Sequence, residues 1–352
     1  MDNRTGECVN FAGISILYSF HCMTVFITGA NGLIGSFVTR RLIAEGYSVR
    51  ALRRAASNLE LLNDVQDQIE WVEGDVLDTA RLSEHLTGVS AVIHSAAVVS
   101  YDSRDSARMH KVNVEGTANL VNICLERKVD YFLHVSSVAA IGKQKDTVHV
   151  SENHQANTEE FTTAYAQSKY LAELEVWRGI SEGLPAAIIN PSLVLGPGRW
   201  NQSSTKIFKY IWDEHRFYID GTVNYVDVRD VATVTQRLLK QQITGERFIV
   251  SAGSTDYPTL FSTIAQSFDK RPPTRRASAG LVRVASVADG LRARLMGQPQ
   301  LITNELGEVA KNTHTYDNTK VQQAVDITFN PLTNTVRWCC HELTKRAQTV
   351  QS

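Results

Sequence analysis

The sequence lacks the marks of several protein classes. No C-x-x-C pair occurs, and the five cysteines (Cys8, Cys22, Cys124, Cys339 and Cys340) are odd in number and irregular in spacing. That argues against a disulfide framework or a zinc knuckle and fits reduced thiols. Neither H-E-x-x-H nor G-x-S-x-G is present, and His94, His110, His134, His149 and His154 show no metal-ligand spacing. Hydrolase and metalloenzyme chemistry therefore has little support, and no metal is expected. An excess of one charge is missing too. With 36 basic and 37 acidic residues the net charge is -1, which gives no electrostatic case for nucleic acid or an anionic membrane. The apolar stretch Ile14, Ile16, Leu17 and Phe20 is shorter than the ~20 residues of a membrane span. Asp2 and Glu7 precede it as well as Arg4, and no small-x-small cleavage site follows, unlike a secretory signal. Residues 1–22 are expected to be a poorly ordered extension, with Met23 a natural start for the first strand. The expected setting is cytoplasmic and the expected partner a small molecule, with a homodimer left open.

What is present is a regular alternation. Val25-Phe26-Ile27 is followed by a helical pattern with Leu33, Ile34, Phe37, Val38, Leu42 and Ile43. Then come Val49–Leu52, Ile69–Val72, Ala91-Val92-Ile93, a helix around Val112–Glu126, Tyr131–Val135, a helix from about Thr163 to Ser181, and Ala186–Ile189. Short apolar strands separated by helices predict parallel pairing with right-handed crossovers. The fold class is therefore α/β, a doubly wound parallel sheet, with residues 23–190 as its nucleotide-binding domain. After Asn190-Pro191 the pattern loosens. Residues 191–225 and 258–352 are read as a smaller, mostly helical substrate lobe, and 226–257 as a helix (Val226–Leu239) and a strand (Phe248-Ile249-Val250) returning to the sheet.

Between the first strand and helix stands Thr28-Gly29-Ala30-Asn31-Gly32-Leu33-Ile34-Gly35. Gly29 suits a tight turn, Gly32 close approach of a pyrophosphate, and Gly35 helix–strand packing. The helix start, Asn31 to Gly35, offers unpaired N–H groups to phosphate. An acid at the end of the second strand would select NAD through the ribose hydroxyls. Here the end is Val49-Arg50-Ala51-Leu52-Arg53-Arg54, and guanidinium groups suit a 2′-phosphate. NADP(H) is expected, with NAD(H) the weaker alternative and a plain solvated basic strand end the bland one. His94-Ser95-Ala96-Ala97 ends the fourth strand, where small residues would let the dinucleotide cross closely; Gly74-Asp75-Val76 follows the third strand.

Tyr165-Ala166-Gln167-Ser168-Lys169 begins a predicted helix, and a spacing of four puts Tyr165 and Lys169 on one face. A phenol titrates near pH ~10 in isolation, and a neighbouring ammonium brings it closer to useful acid–base range. His134-Val135-Ser136-Ser137-Val138 ends the fifth strand, where a hydroxyl can donate to a substrate oxygen.

The G-x-x-G-x-x-G cradle followed by Tyr165 and Lys169 resembles the extended short-chain dehydrogenase/reductase superfamily, and the resemblance covers the chain after Met23. It implies that Tyr165 exchanges the proton, Lys169 tunes it and holds the nicotinamide ribose, and Ser137 orients the substrate oxygen. It also implies that Asn113 supports the site, or only shapes its flanking helix, that the Gly74-Asp75-Val76 turn places an aspartate near the adenine, and that Arg53 and Arg54 face the cofactor's 2′-phosphate. Asn190-Pro191-Ser192 at the sixth strand resembles dihydroflavonol-reductase-like and 3β-hydroxysteroid-dehydrogenase-like members; together with Ala164-Tyr165 through Glu173 it is also close to hopanoid-associated sugar epimerases. Pro191 and Ser192 join the cofactor set on that ground. Val98, Val99, Tyr101, Ala139, Ile141, Leu193, Phe217, Tyr218 and Tyr225 are expected to line an apolar pocket. The expected reaction is reversible hydride transfer between NADP(H) and a carbonyl or secondary alcohol. The alternatives are NDP-sugar epimerisation with the cofactor recycled internally, and an idle redox-sensing scaffold.

Overall fold

Seven short apolar runs pair into one sheet: β1 (Thr24–Thr28), β2 (Ser48–Arg53), β3 (Ile69–Glu73), β4 (Ala91–His94), β5 (Tyr131–Val135), β6 (Ala186–Pro191) and β7 (Glu246–Val250). All the pairings are parallel, in the order β7-β6-β5-β4-β1-β2-β3. Strands buried on both faces need apolar residues at every position. Val25, Phe26 and Ile27, and Val92 and Ile93, are all fully buried. The computed structural model describes residues 23–100, 102–142, 148–154, 156, 160–277 and 314–351. The expectation for residues 1–22 lies outside them.

Odd and even positions of each strand feed two cores. Val25, Ile27, Ile93 and Leu133 pack with Val38 and Leu42 of α1 (Leu33–Ala44) and with Val231 and Leu238 of α5 (Val228–Gln241). Phe26, Val92, Phe132 and Ile188 pack with Leu82 of α2 (Thr79–His85), Leu120 and Val121 of α3 (Gly116–Arg127) and Val176 of α4 (Ala164–Ser181). Each fully buried side chain of this size contributes about 1.5–3 kcal/mol. The strand order reverses at β1/β4, the switch point beyond which a doubly wound sheet takes its ligand.

Two local readings are corrected by the structure. The predicted helix from Val226 starts later, at Val228, because Val226 and Asp227 belong to a strand (Thr222–Asp227) paired in parallel with Leu193–Leu195. The Asp227 carboxylate caps the helix, accepting from the Arg229 N–H at 2.8 Å. The helix expected around Val112–Glu126 opens as a π-helical turn, His110–Glu115, and becomes α-helical only from Gly116 to Arg127. The lobe core gathers Leu195, Phe208, Ile211, Leu260, Ile264, Val336 and Leu343. Its last helix, α6 (Leu332–Gln351), packs back on the sheet domain, with Trp338 edge-on to Phe37.

Candidate active site at the switch point

The glycine turn is built by close approach. Gly29 has φ +72°, and a Cβ there would stand 2.7 Å from the Ala96 nitrogen. A Cβ on Gly35 would meet the Gly29 carbonyl oxygen at 2.1 Å. Gly32 donates to Gly29 O at 2.9 Å and accepts from Ser36 N at 3.0 Å, so the chain turns directly from β1 into α1. No side chain caps α1, which leaves N–H groups around Gly32, Leu33 and Ile34 for a phosphate. A Cβ on Gly32 would meet only the Gly29 oxygen within 4 Å. Such a cradle fits a dinucleotide's pyrophosphate.

Arg53 ends β2 beside Glu73 of β3. Arg53 is half-buried and Arg54 exposed, and neither guanidinium has an ion pair or hydrogen bond among the described residues. Asp75 caps its own turn, accepting from Leu77 N at 3.1 Å, while Val76 is buried under Gly116. Sequence reasoning missed Arg199, which follows the Gly196-Pro197-Gly198 turn. Its Nη2 donates to Asn58 O at 2.6 Å and to Asn31 O at 3.3 Å. One lobe residue thus ties the loop after β2 to the glycine turn.

Behind β4 runs a buried chain of hydroxyls and imidazole. Ala96 N donates to Thr28 Oγ1 (3.2 Å), which lies 2.7 Å from His94 Nδ1. His94 Nε2 lies 3.0 Å from Thr117 Oγ1, itself bonded to Asn113 O at 2.5 Å. Those roles assign the neutral Nε2–H tautomer. Burial, with the Lys169 charge added, pushes His94 down to about 3. The chain fixes Ser95 and Ala96 at the strand end, with Ala97 exposed beyond them.

The side chain of Asn113 is fully engaged. Its Nδ2 donates to Val98 O (2.9 Å) and Ser168 Oγ (3.0 Å), and its Oδ1 accepts from Val98 N at 2.7 Å. Ser168 Oγ in turn donates to Tyr165 O at 2.8 Å. Asn113 therefore acts here as a staple between the loop after β4 and the first turn of α4.

Thr163 caps α4, accepting from Ala166 N at 3.1 Å, so Tyr165 sits in the first turn, half-buried. Lys169, one turn on, is 2% exposed and donates through Nζ to Val135 O at 2.9 Å. Burial pushes its ammonium down to about 8, the Glu173 carboxylate opposing that fall. Ser137 follows two residues after Val135. Its hydroxyl accepts from Ala139 N at 3.2 Å, and its carbonyl accepts from Asn190 Nδ2 at 2.9 Å. Helix α4 and the end of β5 thus bring Lys169 and the Ser137 segment together. Pro191 ends β6, and Ser192 holds a buried hydroxyl with no partner among the described residues.

The expected pocket separates into two groups. Val98, Ala139, Leu193 and Tyr218 are half-buried, and Val99 and Phe217 are 59% and 40% exposed. Ile141 is fully buried against Val150 and Ile249, and Tyr225 lies in the lobe core. These two therefore pack rather than line a pocket. Tyr101 lies outside the described residues. Among those residues no cluster of metal-ligating side chains exists, and no helix is long and apolar enough to cross a membrane.

A doubly wound parallel sheet with this cradle belongs to enzymes that use NAD(P). Residues 25–251, more than half the chain, match the NAD dependent epimerase/dehydratase family, and the protein belongs to that family. It is 34% identical over 233 residues to a protein of Synechocystis sp. named "Putative dihydroflavonol 4-reductase", covering 64% of this chain and 66% of that one. It is 30% identical to sterol demethylase protein B of Methylococcus capsulatus (65% and 70% covered). With cinnamoyl-CoA reductase 1 of Petunia hybrida the identity is 28% (74% and 82%). The crystal structure of gox2253 superposes with a TM-score of 0.79 at 29% identity, covering 92% of this chain and 98% of that one. The Bordetella bronchiseptica enzyme WbmH, crystallised with NAD+, shares the fold (TM-score 0.71, 22% identity, 90% and 96% covered).

Proposed function

We propose that this protein reduces, reversibly, the carbonyl of a largely apolar small molecule at the expense of NADPH. The observation that carries the proposal is the placement of a buried Lys169 one helical turn from a half-exposed Tyr165, against the end of β5. Bound NADP(H) supplies or accepts the hydride. Tyr165 Oη gives its proton to the carbonyl oxygen in reduction and takes it back in oxidation. Lys169 carries the charge that makes that proton mobile. Ser137 Oγ orients the oxygen.

The apolar character of the substrate is supported by the partly exposed Val98, Val99, Ala139 and Leu193, in the segments that follow β4, β5 and β6. The names of relatives acting on dihydroflavonols, sterols and cinnamoyl-CoA agree with it. The phosphorylated cofactor is supported by Arg53 and Arg54, two guanidiniums at the β2 end that have no ion pair among the described residues, with no carboxylate in the place that would select NAD. Replacing both by serine is expected to raise the Kd for NADPH by about 10–100-fold, the worth of one or two charge-assisted contacts. The Kd for NADH should hardly move. Fluorescence titration with each cofactor checks this, and equal losses would defeat the argument.

A further inference from the structure

Helix α4 carries a third polar residue at the spacing of the first two: Tyr165, Lys169 and Glu173 follow each other every four residues. Glu173 is 1% exposed, and a carboxylate is rarely so deep without a specific reason. It is held from three strands. Asn190 of β6 donates to its Oε1 at 2.5 Å, and Arg247 of β7 stands 3.6 Å from its Oε2. Burial raises the Glu173 carboxyl above its usual range, and the Ser136 hydroxyl just past β5, Arg247, Asn190 and Lys169 oppose that rise by favouring its charged form. Arg247 is in turn fixed by the carbonyls of Glu152 and His154 at 2.6 Å each.

Glu173 is also the anion in an otherwise cationic or neutral pocket around Lys169. From β4 comes His94 and from β5 His134, both 1% exposed and kept uncharged by burial and by the Lys169 ammonium. Neither ring nitrogen of His134 has a partner among the described residues. From β7 comes Arg247, while the Glu152 carboxylate accepts from Ile249 N at 2.8 Å. No direct ion pair joins Lys169 to Glu173, so the coupling acts through space across one helical turn.

We propose that Glu173 is a positioning residue of the proton-transfer pair: its clamped, buried carboxylate keeps Lys169 charged beside Tyr165. The same carboxylate fixes the Ser137 segment, because one Asn190 amide bonds both Glu173 and the Ser137 carbonyl. The consequence for turnover rests on the oxidoreductase reading above; the effect on Lys169 does not. Removing a buried anion makes neighbouring groups release protons more readily, so the Lys169–Tyr165 pair should lose its proton at lower pH.

The test is a pH titration of the full chain labelled with [13C]lysine, following the 13Cε resonance of Lys169, assigned with Lys169→Arg. Glu173→Gln keeps the shape and an acceptor for Asn190. Its Lys169 midpoint should fall by about one pH unit or more, the usual effect of losing a close opposite charge. Glu173→Asp, which keeps the anion but draws it back, should give a smaller fall, and it carries the test alone if the glutamine variant does not fold. A midpoint unchanged in the variants would overturn the proposal. The basic limb of NADPH-dependent carbonyl reduction should move with the NMR midpoint, while a merely structural role would lower the plateau and leave the limb in place. A shifted midpoint in a protein that reduces no carbonyl would leave Glu173 in its role and count against the functional reading instead.

Discussion

Tyr165→Phe should lower the rate of the chemical step by about 10²–10⁴-fold, the range that a positioned general acid contributes, with NADPH affinity little changed. The phenylalanine ring fills the same half-buried place in the first turn of α4. The backbone contact of that turn, Ser168 Oγ to Tyr165 O, is retained. What disappears is the proton. Pre-steady-state NADPH oxidation and cofactor titration together separate the two effects. A loss of affinity equal to the loss of rate would make Tyr165 a packing residue.

Gly35→Ala should be the second large effect, and it acts on the cofactor instead of the chemistry. The new Cβ would stand 2.1 Å from the Gly29 carbonyl oxygen, 2.7 Å from the Gly29 carbon and 2.9 Å from the Ala30 Cα. All three are backbone atoms of the turn itself, so no side chain can swing aside. Overpacking of this kind costs about 1–3 kcal/mol and occasionally more, and each ~1.4 kcal/mol is tenfold in binding. Affinity for NADPH should therefore drop by roughly 10–100-fold or more, with the thermal midpoint falling as well. Gly46→Ala is the control for chain flexibility: φ there is +86° but nothing lies within 4 Å of the added carbon. It should strain its own turn and leave cofactor affinity as it was.

The parts of this architecture written locally could be read from the sequence. Strand and helix periods, the glycine cradle and the four-residue step from Tyr165 to Lys169 each occupy a few consecutive residues. The seven-stranded parallel sheet follows from them. Non-local parts were less accessible. Val226 reads as helical because apolar residues run on into α5, yet its pairing with Val194 makes it a strand. Asp227 was the available signal, as an N-cap residue directly before a helical run. Ile141 and Tyr225 look like pocket residues by chemistry, but distant elements enclose them. Arg199 reaches across more than 140 residues to Asn58, and nothing near it in sequence announces the contact. Glu173 could have been found, since it continues the Tyr165–Lys169 spacing; what no spacing conveys is that Asn190 and Arg247 close around it.

In the reaction proposed for this protein, hydride passes in net fashion from NADPH to a carbonyl carbon and Tyr165 protonates the oxygen. The most direct measurement is mass spectrometry of the product formed from an apolar ketone or aldehyde panel with NADPH deuterated at the transferable C4 position. The account predicts an alcohol with one deuterium on the carbinol carbon and one NADPH consumed for each product. An NDP-sugar converted to its epimer, with no NADPH consumed and no carbonyl reduced, would contradict it.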